Sequence, residues 1–154
     1  MEITKRTATD CAVHITEALK PVLKLHDWDI IWRFEQMDRL AEGSVQLGQA
    51  HVDYNHLKLI IYVDTFRHED DFTDFVDTLR HELLHATHFM WTRALTAFRE
   101  MLPQEYEKIA AAHWADACEE HVAYFGRVLD GLGYHVDALA TSFVDTLAEN
   151  APKE

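Results

Sequence analysis

Apolar positions along the first part of the chain change rhythm twice. Ile15, Ala18, Leu19 and Val22 recur three and four residues apart, the spacing of one helix face. That spacing predicts a helix from about Thr9 to Leu25, capped by Thr9 or Asp10, with Pro21 as a kink or a break. The segment "DWDIIWRFEQ" is β-branched and aromatic and predicts a strand near Trp28 to Phe34. After the polar "QMDRLAEG", two apolar-rich runs, "SVQLGQAHVDY" and "LKLIIYVD", flank the short link Asn55-His56. They read as an antiparallel hairpin whose second arm is the more buried. Gly48 reads as the site of a bulge.

The second change of rhythm follows "RHEDDFTD". Phe72, Phe75, Val76, Leu79, Leu83, Ala86 and Met90 fall on one helical face, so a long helix is expected from a cap at Asp71 or Thr73 to roughly Phe98. Pro103 separates it from a helix over about Gln104 to Leu129, closed by Gly131 and Gly133. A last helix spans Val136 to Glu149. The order helix, three strands, helices is an α+β pattern in one domain over 1–154.

Composition narrows the partners. The 154 residues suit a single compact core, and 48% are apolar. A formal charge of −13 argues against nucleic acid or an anionic membrane surface as partner. No apolar run approaches a membrane span, and "MEITKRTATD" lacks the apolar core of a signal peptide. Cys11 and Cys118 are far apart, without metal-type spacing, and read as ordinary thiols of a cytosolic protein.

The candidate chemistry lies in "LRHELLHATHF", which contains H-E-x-x-H from His81 to His85. With 11 His in the chain, shuffling alone would produce the motif about once in fifteen such chains, so context must carry it. On a helix, His81 and His85 lie about 40° apart, away from the Leu79, Leu83 and Met90 stripe. One face can then pack on the sheet while the other binds metal. At this point the sequence resembles the zincin metallopeptidases, whose H-E-x-x-H helix follows a small sheet. The resemblance implies a minimal zincin-like fold: an N-terminal helix, a three-stranded, mainly antiparallel sheet, the motif helix, then C-terminal helices. It also implies that His81 and His85 bind zinc and that Glu82 acts as general base.

A catalytic zinc usually takes three protein ligands and a water. The metzincin extension is absent, since residue 88 is His where that pattern has Gly and residue 91 is Trp where it has His. His88 would lie about 10 Å along a straight helix from His81. The better candidate is in "DACEEHVAYFGRVL", where Glu119 has Ala115, Val122, Ala123 and Gly126 as helix neighbours. Those small or apolar residues place it on the drier face, and a buried carboxylate needs a partner such as zinc. Glu120 reads as solvated. His113 and His121 rank below Glu119; they are kept in view because SprT-like proteins pair the motif with a third His. "EEHVAYFGRVL" is similar to the gluzincin segment E-x-x-A-x-x-F-A-x-x-L of small metallopeptidases from phages and other mobile elements, including repressor-cleaving ones. The match runs from Glu119 through Val122, Phe125, Gly126 and Leu129. Where many gluzincins have Asp or Asn four residues after the ligand Glu, this chain has Ala123. Asp116 or a backbone carbonyl would then support a zinc-binding His.

The implied activity is hydrolysis of a peptide or protein substrate, with His88, His121, Tyr124, Tyr134 and His135 as candidate oxyanion partners. The arm from Val45 to Tyr54 is expected as an edge strand able to pair with an extended substrate. His14, His26, His51, His56 and His68 are read as surface or hairpin residues without a metal role. The alternative function is a metal-stabilised binding or assembly protein that cleaves nothing.

Overall fold

A computed structural model describes residues 3–36, 47–53, 56–65, 71–88, 97 and 101–150. The first helix, α1, runs Lys5–Leu19, with the Thr4 side chain accepting the Thr7 N–H. It starts a turn earlier than the expected Thr9, because Thr4 is the capping residue. It also stops short of Leu25. Pro21 has no N–H to continue the ladder, and Lys24 turns into the left-handed region at φ 55°. That turn lets the Leu25 N–H reach back to the Lys20 carbonyl. Ala8, Cys11, Ala12, Ile15 and Leu19 form the fully buried face. Thr16 sits among them, donating to the Ala12 carbonyl and accepting from the Trp32 indole, which ties α1 to the sheet.

The sheet contains β1 (Asp29–Phe34), β2 (Gly48–Asp53) and β3 (Lys58–Val63) in the order β1-β3-β2. The hairpin β2–β3 is antiparallel, from Gly48↔Val63 to Asp53↔Lys58. β1 joins β3 in parallel, from Asp29↔Lys58 to Phe34↔Val63, so the sheet is mixed and β3 is central. Leu59, Ile61 and Val63 of β3 are fully buried, which suits a strand with neighbours on both sides. The β2 ladder is continuous from Gly48, with no bulge there.

Behind the sheet lies α2 (Phe72–Leu84), capped by Asp71, whose carboxylate accepts the Asp74 N–H. It packs against α1, the sheet and both later helices. Phe75, Val76, Leu79, Leu83 and Leu84 carry its core face, and Ala86 continues it. The α-helix does not run on to Phe98. At His85 it tightens into a 3-10 turn, His85–His88, where the Thr87 hydroxyl takes the Leu84 carbonyl that a longer helix would use. Met90 lies outside the described residues.

Pro103 begins α3 (Gln104–Gly131), which ends in turn geometry with Gly133 at φ +88°. Only Val122, Gly126 and Leu129 of this helix are buried. The last helix, α4, spans Val136–Glu149 as expected and is capped by the His135 ring. The architecture is thus α+β, with an N-terminal helix, three strands, and then helices. No helix among the described residues is long and apolar enough to cross a membrane.

Candidate metal centre

Two turns of chain bring the donors together. His81 and His85 lie one turn apart near the C-terminal end of α2, with ring centroids 5.0 Å apart at 73°. From α3, Glu119 reaches across to both. Its Oε2 lies 3.2 Å from His81 Nε2 and its Oε1 lies 3.5 Å from His85 Nε2. One ligand atom from each of the three residues falls within 4.8 Å of the others, the one such group among the described residues. Zinc ligands held at about 2.0–2.1 Å in a tetrahedron are about 3.3 Å apart. The two His-to-Glu separations, each to a different Glu119 oxygen, are close to that edge, so the donor set could hold a metal ion such as zinc.

Electrostatics favour a ligand role for His85. Burial first, and then the neighbouring His81, together push its pKa down to about 4. His85 is therefore neutral at pH 7 and has a nitrogen lone pair to offer. Its approach to Glu119 is not an ion pair at that pH.

Glu82, beside His81 on α2, is buried and only 6% exposed. Burial first, and then the Glu119 carboxylate, together raise its pKa to about 8. A cation between Glu119 and the two histidines would offset that repulsion and favour the ionised form. The Glu82 side chain rests against the backbone of β2 at Gly48.

Glu119 occupies the expected position for a different reason from the expected one. Its side chain is 59% exposed, and Ala115 and Ala123 beside it are exposed too. Small neighbours did not signal a dry face here. Alanine is also what an exposed helix uses for propensity alone. What brings Glu119 to the histidines is the packing of α3 on α2. Glu120 is exposed, as expected, and so is Asp116. His113 is exposed two turns earlier on α3. The half-buried His121 ring packs on Phe125, with centroids 4.6 Å apart. Neither belongs to the donor group. The side chain of His88 lies outside the described residues.

The oxyanion candidates disperse. His135 is committed to capping α4. Tyr124 is exposed, with its ring edge against Phe125. The Tyr134 carbonyl accepts a hydrogen bond from Arg80. Among the remaining histidines, His14 meets Ser142 at 3.1 Å, His51 packs edge-on to Tyr62, and His56 pairs with Asp53. His68 lies outside the described residues.

Two residues to which sequence reasoning assigned no role at the site border it. One is Gly48. The other is Arg80, whose side chain is only 11% exposed and which clasps α3 to α2. Its Nη1 donates to Asp130 Oδ1 at 2.6 Å and to the Tyr134 carbonyl at 3.3 Å, while Nη2 donates to Asp77 at 3.2 Å. The adjacency of Arg80 to the motif was visible in the sequence, but its partner fifty residues away was not. In comparisons with known proteins, no family model matches the chain, and no curated protein or solved structure matches it.

Proposed function

We propose that the protein is a zinc-dependent metallopeptidase acting on peptide or protein substrates in the cytoplasm. One observation carries the reading: His81, His85 and Glu119 bring a ligand atom each within 4.8 Å of one another, beside the buried Glu82 that lies between the two histidines in the chain. Zinc held by these three residues would supply a Lewis acid that makes water acidic near neutral pH and polarises a carbonyl.

The chain's own residues supply the rest. Glu82 accepts the proton of the attacking water on its carboxylate and later delivers it to the leaving amine. Its burial excludes competing solvent from that transfer and fixes its direction. His85, held neutral, offers a nitrogen lone pair, and Glu119 from α3 brings one negative charge toward a cation. Among the described residues β2 has a strand on one side only, so its other edge is the one open to a further strand. An extended substrate would pair there, next to α2.

The test is metal analysis of the purified protein alongside wild type and Glu82→Gln on a fluorogenic peptide library. One zinc per chain in both proteins is expected, with cleavage by the wild type falling about 10²–10⁴-fold in the variant. Metal in both with cleavage by neither would overturn the enzyme and leave a metal-stabilised binding or assembly protein. Absence of metal from both would overturn either function.

A further inference from the structure

Along β2 the residues alternate between the protein interior and solvent. Gly48, Ala50 and Val52 are half-buried, while Gln49, His51 and Asp53 are exposed. The inward series grows from no side chain to one methyl to two, and its smallest member faces Glu82. A Cβ placed on Gly48 would lie 2.6 Å from Glu82 Cγ, 2.6 Å from Oε1 and 2.7 Å from Cδ. Side-chain carbons make contact at about 3.5–4.0 Å, so the two cannot share the space. Conformation does not explain this glycine, since it lies in a regular ladder opposite Val63 and its φ is outside the left-handed region. The missing side chain is what the position requires.

Three consequences follow from the placement. The colliding atoms belong to the Glu82 side chain and not to the α2 backbone, so an added methyl would displace the carboxylate before it displaced the helix. The carboxylate is buried, so it cannot simply swing into solvent. The three atoms nearest an added Cβ all belong to Glu82 and none to His81, His85 or Glu119, so the methyl would meet the carboxylate before it met the donor group.

We infer that Gly48 is a positioning residue: the bare backbone of the edge strand forms the seat that holds the Glu82 carboxylate in its working orientation. The role as a catalytic support rests on the metallopeptidase reading, whereas the seat itself does not.

Thermal unfolding and kinetics of a double-mutant cycle separate the two. Glu82→Ala removes Cγ, Cδ and both oxygens, the atoms that a residue-48 methyl would meet. Gly48→Ala alone is expected to lower Tm by about 3–8 °C. The same change in a Glu82→Ala background is expected to leave Tm unchanged or raise it, because the space is then open. In the zinc-loaded enzyme with a fluorogenic peptide, Gly48→Ala is expected to reduce kcat on the order of 10²-fold, the cost of a misplaced group. KM and zinc stoichiometry are expected to stay near wild type, and Gly48→Ala is expected to cause no further loss in a Glu82→Gln background. Equal Tm losses in the presence and absence of the Glu82 side chain would overturn the seat. A coupled Tm with unchanged kcat would overturn its catalytic role. A coupled Tm in a protein that binds zinc but has no wild-type cleavage would support the seat and overturn the peptidase reading instead.

Discussion

Cys11 lies on the inner face of α1, fully buried, and burial pushes its thiol pKa from 9.0 up to about 12. The folded protein therefore keeps a proton that the unfolded chain releases near pH 9. The resulting stability is complete below about pH 9 and is lost as pH rises toward 12, at up to about 1.4 kcal/mol per pH unit. Urea unfolding from about pH 8 to pH 11 is expected to show this decline, and Cys11→Ala is expected to flatten it. At the same scale, His81, Glu82 and His85 were legible because helical spacing alone puts the two histidines on one face. Glu119 was legible as a position but not as an environment. Its exposure follows from how little of α3 is buried, which no neighbour count along one helix reveals. Gly48 and Arg80 were illegible in role, because Glu82 and Asp130 stand 34 and 50 residues from them in the chain.

At the scale of elements, α3 supplies Glu119 to the donor group while burying only three residues, and the Arg80 clasp ties it to α2. Asp130 is half exposed, and solvent screening limits the pair to about 1 kcal/mol. Asp130→Asn is expected to lower zinc affinity by less than the roughly 10–100-fold typical of a lost outer-shell partner. Glu119→Ala is expected to exceed that range, as read by competition with a chromophoric chelator. Element types and order were readable from periodicity throughout, and α4 fell on its expected bounds. Boundaries failed where a local competitor decided them. Thr4 outbid Thr9 and Asp10 as the cap of α1, and the Thr87 hydroxyl ended the α-helical ladder while apolar spacing ran on. The parallel pairing of β1 with β3 was also hidden, since strand composition does not name a partner.

For the whole molecule, a ligand that binds only the folded state adds stability by mass action. At free zinc about 100-fold above Kd the gain is about 2.7 kcal/mol, equivalent to a rise of roughly 5–10 °C in Tm for a chain of this size. Calorimetry before and after chelation is expected to show that difference, and His85→Ala is expected to abolish it.

The order β1-β3-β2 also has a bearing on how the chain assembles. The hairpin β2–β3 closes across a few residues, whereas Asp29 must find Lys58 and His85 must find Glu119 over about thirty. Loop closure makes such distant partners slower to meet. A chain still emerging from the ribosome can offer a metal the local pair His81 and His85, but not the third donor. The complete donor group therefore forms only after α3 has docked, so a nascent chain lacks the three-residue set until its C-terminal half has been made and packed.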